Sequence, residues 1–232
     1  MECVVQGIIE AQHVEALDVL LQGLCEGQRE AVKTHEICLK SKPISSFADS
    51  RALESLETGT VASELHLLCD LSKRPHIWTV KHIGGAMRGT GAEQLPALVR
   101  NIVESKMSNN ALRFFYAVGY KMDYELLRDG FAYRFQRAFP ITVTVTSVCR
   151  LPKQHSIDEA TPVTPNIQLV EVTAPATADN FSDVVPAISS FAEHLSPLVN
   201  LSKPGSFAGI VSTASTAAAS LLSRSDRLEH RV

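Results

Sequence analysis

No stretch of this 232-residue chain approaches the ~20 consecutive apolar residues that a membrane-spanning helix needs, so a helical membrane protein is excluded. Cysteine is scarce: Cys3, Cys25, Cys38, Cys69 and Cys149 form no CxxC pair, and an odd count argues against a disulfide framework. The opening MECVVQGIIE carries neither a basic leader nor a small-residue cleavage site, so the cysteines are read as buried thiols of a cytosolic or nuclear protein. Positive charge is not in excess either. With 22 Lys and Arg against 25 Asp and Glu, the net charge is −3, whereas an autonomous nucleic-acid binder carries a Lys/Arg stripe. Direct DNA or RNA binding is therefore not expected.

Catalytic signatures are missing as well. There is no GxSxG elbow, and the cysteines sit inside strand or helix patterns rather than beside a base. GGAMRGTG, from Gly84 to Gly91, lacks both the GK[ST] ending and the GxGxxG order of a phosphate cradle and reads as a flexible loop. His66, His76 and His82 have no cysteine or carboxylate at ligand spacing, so no zinc site is assigned to them. Asp123 and Glu125 point the same way from one strand, but with Lys121 and Arg134 nearby they read as a neutralised polar cluster rather than a metal site. The expectation is a non-enzyme with no catalytic residue, no cofactor and no metal.

What is present is a succession of period-two patterns. Tyr120, Met122, Tyr124 and Leu126 alternate with Lys121, Asp123 and Glu125; Phe131, Tyr133 and Phe135 alternate with Ala132, Arg134 and Gln136. Asp129 and Gly130 predict a hairpin turn between these two runs. After Pro140, the β-branched ITVTVTSV from Ile141 to Val148 predicts a third strand, so Gly119 to Val148 forms a three-stranded meander. Its aromatic face is to be covered by helices, with Asp123, Glu125 and Arg134 on the other, polar side.

Further strands are predicted near Cys3 to Ile9, Lys33 to Lys40, Thr60 to Leu71, His76 to Ile83, Leu98 to Met107 and Ile167 to Thr173. Helical spacing marks Gln12 to Glu26, a short helix carrying Leu112, Phe115 and Tyr116 between an Asn109 or Asn110 cap and Gly119, and Phe181 to Val199. Pro43 to Gly59 is polar and aperiodic and reads as a loop insert; from Ser202 the Ser/Ala-rich tail has too few large apolar groups to pack and is expected to be disordered. The fold class is mainly β (α+β). Trp78, Phe114, Phe115 and Tyr116 exceed what one short helix and one hairpin need internally and are the candidate partner-binding residues.

HEICLK at His35, ALVRN at Ala97 and GYKMDYEL at Gly119, followed in order by FAYRFQRAFPITVTV, CRLP, QLVEVTAPA and FAEHLSPLVNLSK, resemble the Mediator subunit 18 family. WTVKHIGGAMRG from Trp78 and the tail are similar to its plant-type members. The resemblance implies an antiparallel, many-stranded β-barrel spanning residues 1–201 as one domain, in the head module of a nuclear transcriptional coactivator. It also implies pairing with Mediator subunit 20, capture of a Mediator subunit 8 helix, and contacts with other head-module subunits and the RNA polymerase II machinery. The family barrel is similar to the tunnel of metal-dependent RNA 5′-triphosphatases, which need E-x-E pairs on two facing strands. Here Asp123 and Glu125 are the nearest approach and Glu36 has no second carboxylate two residues away, so the expectation is a barrel without catalysis. The alternatives are a metal-dependent RNA or polyphosphate triphosphatase using the lumen, or a generic protein-binding module.

Overall fold

The computed structural model describes residues 1–24, 27–41, 64–87, 89, 91–207 and 210–211. Within them eight long strands run antiparallel: β1 Glu2–Glu10, β2 Glu30–Ser41, β3 Glu64–Asp70, β4 Trp78–Ala86, β5 Leu98–Met107, β6 Tyr120–Gln136, β7 Pro140–Arg150 and β8 Ile167–Pro175. They pair in the order β6-β2-β3-β4-β5-β1-β8-β7, and β7 pairs back onto β6, so the sheet closes into a barrel. Closure matters because an open sheet would leave two rows of unpaired backbone groups. The resemblance-based expectation of an antiparallel barrel is met.

Three helices, α1 Val14–Leu24, α2 Ala111–Val118 and α3 Phe181–Glu193, lie on the outer wall. Leu17 and Leu21 of α1, with Val184, Val185, Ile188 and Phe191 of α3, bury Cys3 and Val5 of β1, Phe131, Tyr133 and Phe135 of β6 and Val143 and Val145 of β7. This is the main core, and its alternating outward residues match the period of two. A second cluster forms where Ala111, Leu112 and Phe115 of α2 cover Ile37 and Leu39 of β2 and Leu67 of β3. Gly119 ends α2 at φ 103°, a left-handed position that glycine takes without a Cβ penalty, and its N–H reaches Phe115 O and Tyr116 O. Asn110 occupies the N-cap as expected but makes no side-chain capping bond.

Three sequence expectations are corrected. The meander has two strands, not three: β6 runs unbroken through Asp129 and Gly130, which pair with Lys33 and Val32 of β2 and with Ser147 and Thr146 of β7. Gly130 is there because a Cβ would lie 2.1 Å from the Val145 carbonyl oxygen, a close backbone approach inside the wall rather than a turn. The stripe from Phe181 stays helical only to Glu193, although Leu195 and Val199 continue in the same core. The packed chain also reaches past residue 201, since Gln6 and Ser202 exchange backbone hydrogen bonds and Pro204 is buried. The 43–59 insert lies outside the described residues, as does most of the tail.

The cysteines among the described residues, Cys3, Cys38, Cys69 and Cys149, are buried thiols outside any disulfide, in keeping with the reading as core thiols. Burial, with Glu2's charge adding to it, pushes the Cys3 thiol up to about 11. Relative to an ordinary cysteine value of 9.0, this lowers the thiolate fraction at pH 8 by roughly 100-fold. Iodoacetamide at pH 8 should therefore alkylate Cys3 at least about 100-fold more slowly in the native protein than in urea. Equal rates, read by mass spectrometry, would contradict its placement.

Candidate functional site: the barrel lumen and the α2 surface

Because successive strand residues face opposite ways, the partners in the ladder define an inner surface made by Glu2, Glu36, His66, Lys81, Arg100, Arg128, Thr144 and Glu171. All of them but Glu2 line a cavity of about 290 Å³. Further along the barrel, Tyr124, Leu126, Val148, Val163 and Leu169 pack together as an apolar cluster.

The polar part of the lumen neutralises itself. Arg128 Nε donates to Glu36 Oε2 at 2.7 Å, and Glu36 Oε1 lies 2.8 Å from Nδ1 of the fully buried His66. Burial opposes the charge on Arg128, but the carboxylates of Glu36 and Glu171 outweigh it and hold the guanidinium above its ordinary value. Arg100 donates through Nε and Nη2 to Glu2 Oε2 at 3.1 and 2.8 Å, and Lys81 bridges Glu2 and Glu104. Nearer the open end, Arg134 pairs with Glu30 at 3.0 Å. Arg134 lies on the lumenal side, as expected, and Thr142 and Thr144 line the same cavity.

Asp123 and Glu125 are not lumenal. The β2–β6 register pairs Cys38 with Tyr124 but Leu39 with Met122, so Asp123 is a bulged residue, and its carboxylate pairs with Lys40 at 2.8 Å. The bulge also reverses the faces on either side of it. Tyr120 and Met122 pack outward under α2, while Tyr124 turns into the lumen. Glu125, opposite Ile37, points outward and meets His35 and His155. Hence α1 and α3 cover Phe131, Tyr133 and Phe135 as expected, but not Tyr120, Met122 and Tyr124. Among the described residues no two lumenal carboxylates stand two apart on one strand. The three histidines considered together do not converge: His66 faces inward, His82 sits opposite Leu65 on the outer face, and His76 lies 3.4 Å from Asp70 O.

The four aromatic candidates divide. Phe114 and Tyr116 are 52% and 42% exposed on α2, next to Val118 at 59%. Phe115 and Trp78 are half-buried and pack into the second core cluster, Phe115 edge-on to both Phe114 and Tyr120. Trp78 lies 6.0 Å from the His35 ring, and burial, with Glu125's charge adding to it, raises the Tyr116 phenol. The α2 surface and the His35–Glu125–His155 cluster are therefore neighbours. Sequence reasoning passed over Arg128 and His35, and weighed Glu36 only for a second carboxylate two residues away. A charged Glu36 beside the apolar Ile37-Cys38-Leu39 was the available signal, since a charge there needs a buried partner.

A family model described as Med18 protein matches residues 72–206. Mediator of RNA polymerase II transcription subunit 18 of Arabidopsis thaliana is 59% identical over 223 residues, covering 96% of this chain and 96% of that protein. Its counterpart of the same name in Danio rerio is 30% identical over 208 residues, 88% of each. Among solved structures, a chain in the Schizosaccharomyces pombe Mediator head module superposes with a TM-score of 0.66 at 14% identity, covering 87% of this chain and 98% of that one, a likeness of fold.

Proposed function

Because the chain belongs to the Mediator subunit 18 family, we propose that it serves as a non-catalytic subunit of the Mediator head module in the nucleus, linking Mediator to the RNA polymerase II initiation machinery. The observation that carries this reading is 59% identity maintained over nearly the full length of a subunit 18 relative. The lumen supports it. Its Glu2 and Glu36 carboxylates are engaged with Arg and Lys partners, and the Asp123 and Glu125 that a triphosphatase reading relied on lie at a bulge and on the outer wall. Residues 1–204 act as the folded unit, with the 43–59 insert and the rest of the tail appended to it.

The finer partners are a paired subunit 20 barrel and a helix of subunit 8, with α2 as part of the contact surface. Phe114, half-exposed beside Tyr116 and Val118, is the anchor favoured by its exposure; Trp78 and Phe115 support it from below. Tagged protein recovered from nuclear extract should carry other Mediator head subunits, and recovery without them would refute the assignment. In the same extract Phe114→Ala should keep its thermal midpoint within a few degrees while losing at least about tenfold in capture of subunit 20 or the subunit 8 helix, as interface aromatics do. An unaltered complex would remove Phe114 from the interface.

A further inference from the structure

Outside the lumen, one cluster among the described residues brings two imidazoles and a carboxylate to a point. His35 comes from β2, Glu125 from the adjacent β6, and His155 from the loop that follows β7. Glu125 Oε2 lies 3.0 Å from His35 Nε2 and 3.0 Å from His155 Nδ1, and the three ligand atoms all fall within 4.8 Å of one another. We propose that His35, Glu125 and His155 form a binding site for one zinc-like divalent transition-metal ion on the outer wall of the barrel. This departs from the expectation of no metal, which weighed Glu125 only with Asp123.

The donor set and its rigidity favour such an ion. Two imidazoles and one carboxylate are borderline donors suited to zinc and its neighbours, and a His₂Glu set leaves a fourth tetrahedral position for water. Bonds of ~2.0–2.1 Å place tetrahedral ligands about 3.4 Å apart, so the present 3.0 Å contacts need open by only a few tenths of an ångström. His35 and Glu125 are held on paired strands with side chains only 5% and 6% exposed. Burial lowers the His35 imidazole against the pull of Glu125. The backbone N–H of His155 donates to Glu125 Oε1 at 2.7 Å, orienting the carboxylate and leaving Oε2 to face both rings. His155 sits at φ 62°, outside the range a residue with a Cβ prefers, and this brings its Nδ1 to the cluster. With 43% of its side chain exposed, it leaves the site open to solvent for the ion and a water ligand.

Zinc titration of the full chain against a fluorescent chelator, with thiols kept reduced, tests the site. Wild type should take up one zinc ion per chain competitively with the chelator. Glu125→Gln and His155→Asn should each weaken that binding at least about tenfold, since loss of even an outer-shell partner costs 10–100-fold. Asparagine tolerates the left-handed backbone at position 155, so His155→Asn in EDTA should unfold in urea within a few tenths molar of wild type. Cobalt in place of zinc should give a spectrum without sulfur charge-transfer bands, separating this cluster from the cysteines. Absence of stoichiometric zinc in wild type, or equal affinity in folded His155→Asn, would overturn the site and leave a hydrogen-bonded triad.

Discussion

Replacing Tyr133 by alanine should lower the free energy of unfolding by about 3–5 kcal/mol. Tyr133 is 1% exposed, sits edge-on to Phe131 at 6.0 Å within the cluster under α1 and α3, and donates its hydroxyl to Asp18 Oδ1 at 2.8 Å. Truncation leaves a cavity between helix and wall and removes a partner from Asp18, which also binds Arg29 at 3.1 Å. For a chain of this size the loss corresponds to on the order of 10 °C in Tm. Tyr133→Phe, which keeps the ring, should cost about 1–3 kcal/mol for the bond to a charged acceptor alone. One residue further along the same strand, Arg134→Ala should fall within about 1 kcal/mol of wild type, because its pair with Glu30 is exposed at 60% and 44% and is screened by water. Urea denaturation of the three variants checks the assignment, and equal costs for Tyr133→Ala and Arg134→Ala would contradict it.

Glu36→Ala should be comparably damaging, by about 3 kcal/mol or more, for a different reason. It strips the carboxylate that joins Arg128 at 2.7 Å and His66 at 2.8 Å, leaving a guanidinium and an imidazole in a lumen where Glu36 is 4% and His66 0% exposed on the side chain. Breaking a buried pair leaves an uncompensated charge, which costs far more than the pair itself contributed. Replacing all three together, with Glu36→Leu, His66→Leu and Arg128→Met, should therefore recover most of the lost stability. The contrast between single and triple variants in denaturant midpoint is the test. A triple variant as unstable as Glu36→Ala would mean that the network fixes the barrel's register rather than only neutralising itself.

Several elements were legible because the signal is local. The alternation in Phe131, Tyr133 and Phe135 follows from the pleat, which forces every second side chain to one face. The 3.6-residue spacing of Leu17 and Leu21, and of Val184, Ile188 and Phe191, marks helix faces in the same way. The Asp129–Gly130 reading failed because the same dipeptide serves a tight turn or a close approach of two strands. Only the neighbouring Val145 carbonyl distinguishes them. The Asp123 bulge was equally invisible, since it arises from an unmatched residue opposite Cys38 and Leu39 on β2, some 80 positions away.

Composition, periodicity and the family words determined by themselves that this is a mainly β chain of the subunit 18 family, because burying one face of each strand writes a repeating pattern into contiguous residues. The tertiary structure alone decided which face became lumen and which became wall. That choice depends on register between distant strands, and a one-residue slip, such as the one at Asp123, sends every following side chain to the opposite side. It placed Glu125 outside with His35 and His155, and Glu36 inside with Arg128 and His66, although His35 and Glu36 are adjacent in sequence.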